Sequence, residues 1–276
     1  MRAQGDVRME ELKIPKLKGK ELGAYLNNKL DEIADSVVSD PDLLLEFARR
    51  WDNGFKRYSL HNIILAWAQK PDFTLLAGFR QWNKKGRLIK KGSKAIRILA
   101  PIKKRIKDEN YEDIYIIKGF MPVSVFDQSD TEGPEISVGC SDLIHGEVDF
   151  DEMVKKCPIP VVIKNLGLIN GRTSGSMIWI SPRDNETAMV ATLLHEWSHI
   201  WLGHCEKPGV LYEDDNRSLQ EIEAECCSYI CSCFLGISNK KSKFYIGAFG
   251  GKEDEIKGRG RKIITVAERI IGCIIT

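Results

Sequence analysis

The chain has 276 residues, of which 43% are hydrophobic and 29% are charged, and its formal net charge is +2. This composition is ordinary for a globular protein, and the length allows one large domain or two small ones. No apolar run approaches the ~20 residues that span a bilayer, and the first residues lack the apolar core of a signal peptide. These features exclude a membrane protein and predict a cytoplasmic one.

Charge is unevenly distributed along the chain. From Arg80 to Lys107 there are twelve Lys or Arg and no acid, whereas Gly139 to Leu235 holds fifteen Asp or Glu against seven Lys or Arg. This split predicts a basic binding half followed by an acidic catalytic half.

Three helices are predicted near the start of the chain, after a flexible segment over residues 1–15. The first covers Lys20 to Val38, with its apolar residues on one face. Asp40, which precedes a proline, can cap a second, short helix. Ser59 can cap a third helix from Leu60 to Gln69.

Strands follow the helices. Residues 95–101 and 111–120 read as two strands joined by a charged turn, and residues 123–126 extend the second strand or begin a third. The result is a small α+β domain over residues 16–127, which a polar, turn-rich linker at 128–140 closes.

Aromatic residues are interleaved with the basic run. Exposed rings stack on bases while Lys and Arg follow phosphates, which is the pattern for binding single-stranded nucleic acid. The alternative is that rings such as Trp67 and Phe79 are core residues beneath a solvated basic face. Composition alone leaves both interpretations open.

Four spaced motifs lie between residues 20 and 133. They are Tyr58-Ser-Leu-His-Asn-Ile-Ile-Leu, Pro71-Asp, the run Gly78–Pro101, and Val125-Phe-Asp-Gln-Ser-Asp-Thr-Glu-Gly133. Together they resemble the N-terminal domain of ArdC-type antirestriction proteins. The resemblance implies binding of single-stranded DNA and carriage on a plasmid, phage or integrative element, where such proteins shield incoming DNA. His61 departs from the family, which often has a polar amide there, and we expect it to be a surface or packing residue.

The candidate DNA-binding residues combine the basic run with positions in these motifs. They are Tyr58, Asn62, Arg80, Trp82, Lys84, Lys85, Arg87, Lys90, Lys91, Lys94 and Arg97.

In the C-terminal half a helix near 150–156, a strand at 161–164 and a turn region at 170–175 precede a strand at Met177–Ile180. That strand matches the edge strand expected beside the active-site helix of a zincin. Zincins are zinc metallopeptidases that share an H-E-x-x-H motif, which this chain carries in the helix that follows.

The central motif is His195-Glu-Trp-Ser-His199, in an apolar helix that Asn185 or Thr187 can cap. Histidines four apart on a helix place their Cβ atoms roughly 5–6 Å apart, so both imidazoles can bind one ion. Glu196 projects to the flank, where it can reach a metal-bound water. This is the layout of a zinc metallopeptidase with Glu196 as general base. The alternative is a pair of partly buried histidines on an ordinary core helix.

Three glutamates on the next predicted helix compete to be the third ligand: Glu221, Glu223 and Glu225. Glu221 and Glu225 share a face, and Glu223 points away from both. The domain also resembles the ImmA/IrrE and ArdC metallopeptidases, whose Glu-x-x-Ala pattern fits Glu221-Ile-Glu-Ala224. We therefore assign Glu221 as ligand, Glu225 as the residue that orients a ligand histidine, and Glu223 as the alternative ligand. Glu221 could instead form a capping box with Ser218 unless the helix begins earlier, near residues 214–216, which we favour.

A further histidine and a cluster of cysteines could also bind metal. His204 does not fit the spacing of the extended motif H-E-x-x-H-x-x-G-x-x-H, in which the last histidine is a third ligand. We therefore expect His204 to cap the helix C-terminus. The group Cys226, Cys227, Cys231 and Cys233 lacks zinc-knuckle spacing, and we expect small buried helix residues with reduced, intracellular thiols. A segment at 243–249 and a terminal helix at 262–273 complete the chain.

The sequence therefore predicts an α+β protein: a domain that binds single-stranded DNA, then a zincin-like metallopeptidase domain of the gluzincin type over residues 141–276. It would hold Zn²⁺, contact no membrane and hydrolyse a peptide or protein that the sequence does not name. Two alternatives stay open: a non-catalytic antirestriction protein with structural zinc, and a regulatory protease that cleaves a repressor.

Overall fold

The computed structural model describes residues 11–40, 42–44, 46–47, 58–107, 113–134, 148–205, 214–237 and 257–276. The chain divides into one unit of Met1–Ile33 with His61–Gly139 and a second of Ala34–Leu60 with Cys140–Thr276. The predicted domain boundaries did not place residues 34–60 in the second unit. The N-terminal segment up to residue 10 and the linker from residue 135 lie outside the described residues.

All three helices predicted near the N-terminus are helical in the residues that the structure describes; the described residues of the second are 42–44 and 46–47. Helix α1 covers Gly19–Ser39 and helix α2 covers Leu60–Gln69. Asp40 is a helix cap as predicted, because its Oδ1 accepts the backbone N–H groups of Asp42 at 2.8 Å and Leu43 at 3.1 Å.

The first unit contains a three-stranded antiparallel sheet in the order β1-β4-β3. Its strands are β1 (Leu76–Ala77), β3 (Ile96–Lys107) and β4 (Asp113–Asp127). Strand β4 is continuous, so residues 123–126 extend the second predicted strand. The described residues of this unit also form helix α3 (Phe79–Lys84), a 3-10 turn at Gln128–Asp130 and the paired strands β2 (Leu88–Ile89) and β5 (Thr131–Glu132).

Side-chain amides from α2 cover the outer edge of β3. Asn62 donates to the Leu99 carbonyl at 2.8 Å and accepts from the Leu99 N–H at 2.9 Å. Gln69 does the same for Arg97, with both bonds at 2.8 Å. Two amides seven residues apart share a helix face, so they bind this strand as a neighbouring strand would.

After residue 140, the described residues of the second unit form four helices and a three-stranded sheet in the order β6-β8-β7. Strand β6 runs parallel to β8, and β7 is antiparallel to it. The elements are α4 (Phe150–Lys156), β6 (Val161–Ile163), β7 (Gly171–Thr173), β8 (Ile178–Ile180), α5 (Glu186–Leu202), α6 (Asp214–Phe234) and α7 (Gly260–Ile275).

The core of this unit forms where α6 packs against α5 and α7. Cys226, Cys227 and Cys231 are free and fully buried there, which confirms them as small core residues. Cys233, the fourth cysteine of the predicted group, is only partly buried. Residues 243–249 lie outside the described part of the chain. Among the described residues, no helix is both long and apolar enough to cross a membrane.

Candidate metal centre

Helix α5 presents the H-E-x-x-H motif from a well-capped helix. Asn185 accepts the Ala188 N–H at 3.0 Å at the start, and Gly203 ends the helix with a φ of 76°. Apolar side chains of α5, such as Leu194 and Trp197, are fully buried. The histidines lie on another face, which borders an open cleft of about 1430 Å³.

Helix α6 carries the acidic residues of the site. It begins at Asp214, which confirms the early start and places Glu221 in the second turn. Glu221 is therefore too far along the helix to act in an N-terminal capping box, and its carboxylate is available to the site.

Three side chains form the cluster that could hold an ion: His195, His199 and Glu221, whose donor atoms all lie within 4.8 Å of one another. The two Nε2 atoms are 3.0 Å apart. Glu221 Oε2 lies 3.3 Å from His195 Nε2 and 3.6 Å from His199 Nε2. Two imidazole nitrogens and one carboxylate oxygen that converge in this way are a donor set suited to a divalent transition metal.

The electrostatics of the cluster favour a bound cation. Burial by itself would lower the pKa of His195, but the carboxylates of Glu221 and Glu225 outweigh it and raise that pKa to about 10. The neighbouring rings of His195 and His199 hold the pKa of Glu221 well below its usual range. Carboxylates that retain a proton on a ligand histidine also stabilise a metal ion, and metal binding then releases the proton.

Glu225 orients the first histidine. Its Oε2 lies 3.0 Å from His195 Nδ1, on the side of the ring away from the donor cluster. A carboxylate at this position fixes the tautomer in which Nε2 is free to bind a metal.

Glu196 lies at the site without joining the donor cluster. Glu196 is 8% exposed, and burial raises the pKa of its carboxyl to about 7. A carboxylate with a pKa near neutrality is suited to accept and return a proton.

Strand β7 borders the site, which corrects one expectation. The strand at 177–180 was expected at the sheet edge, but β8 is central, and the outer strand beside α5 is β7, from the segment predicted as a turn. At Gly171 a Cβ would lie 2.6 Å from Thr192 Cγ2 and 3.0 Å from Glu196 Cγ. Only glycine allows this strand to approach Glu196 so closely.

The sequence analysis missed a second group of polar residues behind His199. His199 Nδ1 lies 3.1 Å from His204 Nδ1, and His204 Nε2 lies 2.6 Å from Glu223 Oε2. Arg259 Nη1 donates to Glu223 Oε1 at 2.6 Å. Glu223 is thus not the third ligand, and His204 does more than end the helix, where its backbone N–H donates to the His199 carbonyl at 2.9 Å. The signal available was a histidine directly after the glycine that ends α5.

The predicted DNA-binding residues differ in how far they are exposed. Trp82 is fully buried and donates to the Phe126 carbonyl at 3.0 Å, so its expected stacking on a base is wrong. Arg87 is also buried and binds Thr131 Oγ1 at 2.7 Å, and Asn62 holds β3. Tyr58 and Arg97 are partly buried, and Arg97 bonds to Ser124. The exposed candidates are Arg80, Lys84, Lys85, Lys90, Lys91 and Lys94.

The fold and the donor cluster define an α+β protein with a candidate metal centre. Residues 45–135 match the family model described as the N-terminal domain of anti-restriction factor ArdC, so the chain contains a domain of this family and the ArdC-type resemblance is confirmed.

Two solved structures of antirestriction protein ArdC from plasmid R388 are similar to the chain. The Mn(II)-bound structure is 17% identical with a TM-score of 0.52, over 91% of this chain and 96% of that one. The metal-free structure is 18% identical with a TM-score of 0.49, over 79% and 84%. At this identity the Mn(II)-bound structure shows a shared fold. No curated protein matches the chain.

Proposed function

We propose that this chain is an antirestriction protein of a mobile genetic element whose second unit is a zinc-dependent peptidase. The observation that carries the peptidase proposal is the convergence of His195, His199 and Glu221, with Glu196 beside this cluster and outside it. Three protein ligands leave a coordination position for the reactants, whereas closed structural sites use four.

Zinc fits the donor set. A His₂Glu ligand set is that of catalytic zinc sites in metallopeptidases, and imidazole-rich sites suit zinc well. A zinc ion bound there supplies Lewis acidity, which makes water more acidic and polarises a carbonyl.

Glu196 supplies the proton transfers. Its carboxylate follows the first ligand directly in sequence, so it flanks the cluster and can take a proton from the attacking water. The same group then returns that proton to the leaving amine. Its burial favours this role, because proton transfer is most efficient when the pKa of the acid–base group is near the working pH.

Strand β7 favours an extended peptide as substrate. It is an outer strand of its sheet, it lines the same cleft as His195 and Glu196, and an outer strand can pair with an added extended chain. A peptide paired with β7 would pass directly over Glu196, because Gly171 brings the strand into contact with that side chain.

The first unit supports a role in binding single-stranded DNA. The R388 protein with the same fold is an antirestriction protein, and the matched domain is that of the anti-restriction family. Exposed lysines surround α3, and the β3–β4 hairpin adds a surface that the sequence analysis missed. Lys103 pairs with Ile117 and Arg105 with Tyr115, so basic and apolar side chains share one face. Tyr115 is 65% exposed, which makes its ring accessible to a base.

The peptidase proposal is tested with Glu196→Gln. We expect the variant to bind zinc and fold like the wild type but to cleave fluorescently labelled casein at least about 100-fold more slowly, because the proton acceptor is lost. Glu152→Gln, an exposed acid on α4, is the matched control and keeps full activity. Equal turnover by wild type and Glu196→Gln would contradict the mechanism. Loss of DNA protection in the same variant would link cleavage to antirestriction, and full protection would favour the non-catalytic role.

DNA binding is tested with Lys84 and Lys85, two adjacent exposed lysines. Replacing both with Ala should weaken binding to a fluorescent oligothymidine and reduce the dependence of log K on log salt by about one unit per lost phosphate contact. The matched control replaces Lys155 and Lys156, an exposed pair on α4. Tyr115→Ala should cost about 1–3 kcal/mol of binding free energy, through lost stacking. Salt-insensitive binding, or equal losses in both lysine pairs, would count against this surface.

A further inference from the structure

The two proposed ligand histidines are oriented by different side-chain contacts. His195 contacts the carboxylate of Glu225 directly. No carboxylate of the described residues contacts His199 Nδ1 directly. This nitrogen instead contacts His204, His204 contacts Glu223, and Glu223 contacts Arg259. The side chains of His204 and Glu223 are 4% and 1% exposed, so this chain of contacts is shielded from water at its centre.

The geometry of α6 explains why an intermediate residue is needed. Glu223 lies two residues from both Glu221 and Glu225, so it projects about 200° around the helix from each of them. Its carboxylate therefore cannot reach the donor cluster. Gly203, with its φ of 76°, reverses the chain after α5 and places His204 between His199 and Glu223.

The donors and acceptors along this chain have one consistent direction. Arg259 can only donate, and the two oxygens of the Glu223 carboxylate accept from Arg259 and from His204 Nε2. When His204 donates to Glu223 from Nε2, its Nδ1 is the acceptor that faces His199. His199 must in turn carry a proton on Nδ1, which leaves its Nε2 lone pair directed at the donor cluster.

We propose that Glu223, acting through His204, fixes the tautomer and ring orientation in which His199 binds the metal, with Arg259 anchoring Glu223. His204 and Glu223 are positioning residues. This inference rests on the assignment of His199 as a ligand in the proposed function. It does not require that the site cleave peptides.

Arg259 completes the arrangement from the residue before α7. A carboxylate buried beside only a neutral imidazole would lack a counter-charge, and the guanidinium supplies one at 2.6 Å. The contact ties the start of α7 to α6 directly behind the site. Arg259→Ala should therefore weaken metal binding less than His204→Leu, because the imidazole contact with His199 is retained.

The first experiment compares two replacements of His204 by their zinc affinity, measured by competition with a chromophoric chelator. Gln can accept from His199 and donate to Glu223, so His204→Gln should keep affinity near that of the wild type. Leu can do neither, and His204→Leu should lose about 10- to 100-fold, the range for residues that orient metal ligands. Glu152→Gln on α4 is the control for an unrelated change. Equal affinity in the wild type and His204→Leu, or equal losses in the Leu and Gln variants, would overturn the proposal.

The second experiment reads the tautomer directly, by ¹⁵N NMR of the imidazoles in metal-free protein. In the wild type we expect His199 to carry its proton on Nδ1. Glu223→Gln retains the shape of the side chain but can donate as well as accept, so it should give a mixture of His199 tautomers. We call the series of contacts from His199 through His204 to Glu223 the relay. A wild-type His199 protonated on Nε2, or the same His199 tautomer in the wild type and Glu223→Gln, would refute it. Should His204→Leu not fold, the Glu223→Gln spectrum and its zinc affinity decide the question.

These readouts separate the relay from the peptidase. A protein that binds zinc and shows the expected tautomers but cleaves nothing would retain the relay and refute the peptidase. Equal cleavage of casein by the His204→Leu and His204→Gln variants at limiting zinc would retain the peptidase and refute the positioning role of His204.

Discussion

At the scale of single residues, the buried polar groups of the first unit stabilise the fold. Asp127 is fully buried, and its carboxylate accepts the backbone N–H groups of Thr74 at 2.7 Å, Leu75 at 2.9 Å and Ser129 at 3.1 Å. A buried carboxylate is costly unless its hydrogen bonds are made, and here several donors converge on it. One side chain thus joins the segment before β1 to the end of β4.

We predict that Asp127→Asn lowers the free energy of unfolding by about 1–3 kcal/mol at neutral pH, since an amide presents one acceptor and brings NH₂ toward N–H donors. Urea unfolding measures this, with Asp151→Asn, an exposed change on α4, as the control. A loss no larger than that of the control would contradict the role of Asp127.

The same residue predicts a pH dependence. Burial alone would raise the pKa of Asp127, but hydrogen bonds from Ser129, Thr74 and Leu75 outweigh it and lower the pKa. A carboxyl whose pKa is lower in the folded state stabilises the fold above its unfolded pKa, about 3.9, and this stabilisation is lost as pH falls through the folded pKa. The difference between wild type and Asp127→Asn should therefore be full at neutral pH and shrink below about pH 4. A stability difference between wild type and Asp127→Asn that grows on acidification would contradict a lowered pKa of Asp127.

At the scale of elements, α7 depends on a close contact with α1. Asp35 of α1 accepts the backbone N–H groups of Gly258 at 2.6 Å and Gly260 at 2.8 Å, at the start of α7. A Cβ at Gly260 would lie 2.5 Å from the carbonyl carbon and oxygen of Ala34. The absence of a side chain at Gly260 is what permits the two helices to approach at this point.

Two glycines of α7 should thus respond oppositely to alanine. Gly260→Ala is expected to destabilise by about 1–3 kcal/mol, because backbone atoms must move to relieve the clash. Gly272→Ala should be neutral or stabilise by up to about 1 kcal/mol through helix propensity, because no atom of the described residues lies within 4 Å of the added Cβ. Denaturant midpoints of the two variants give the comparison. Similar losses at both positions would mean that helix packing does not explain Gly260.

At the scale of the whole molecule, the donor cluster joins two helices that are separate in sequence. His195 and His199 come from α5 and Glu221 from α6, so a bound ion crosslinks the elements that form the core of the second unit. An ion that binds only the folded state stabilises it in proportion to the logarithm of its concentration over its Kd.

Zinc at 100 times its Kd should therefore raise the free energy of unfolding by about 2.7 kcal/mol, which appears as a higher Tm in calorimetry. A chelator should reverse the shift, and Glu221→Ala should largely abolish it. Glu223→Gln, which leaves all three donors in place, should retain a smaller shift. A zinc-dependent Tm that is equal in the wild type and Glu221→Ala would place the ion elsewhere.

The sequence by itself determined the local parts of this protein. Helical spacing brings His195 and His199 onto one face. The common face of Glu221 and Glu225, together with the resemblance of Glu221-Ile-Glu-Ala224 to a family pattern, indicated which acids meet them. Motif spacing identified the ArdC-type domain. These features depend on positions a few residues apart, whose geometry the helix or strand fixes before any packing occurs.

Tertiary structure alone decided which residues are buried or brought together across long separations. It places Trp82 in the core, although Trp82 lies in a basic run, and makes β7 the strand beside the site. It also carries His204 to Glu223, nineteen residues further on. Such contacts depend on how elements dock, and periodicity within one element does not encode its partner.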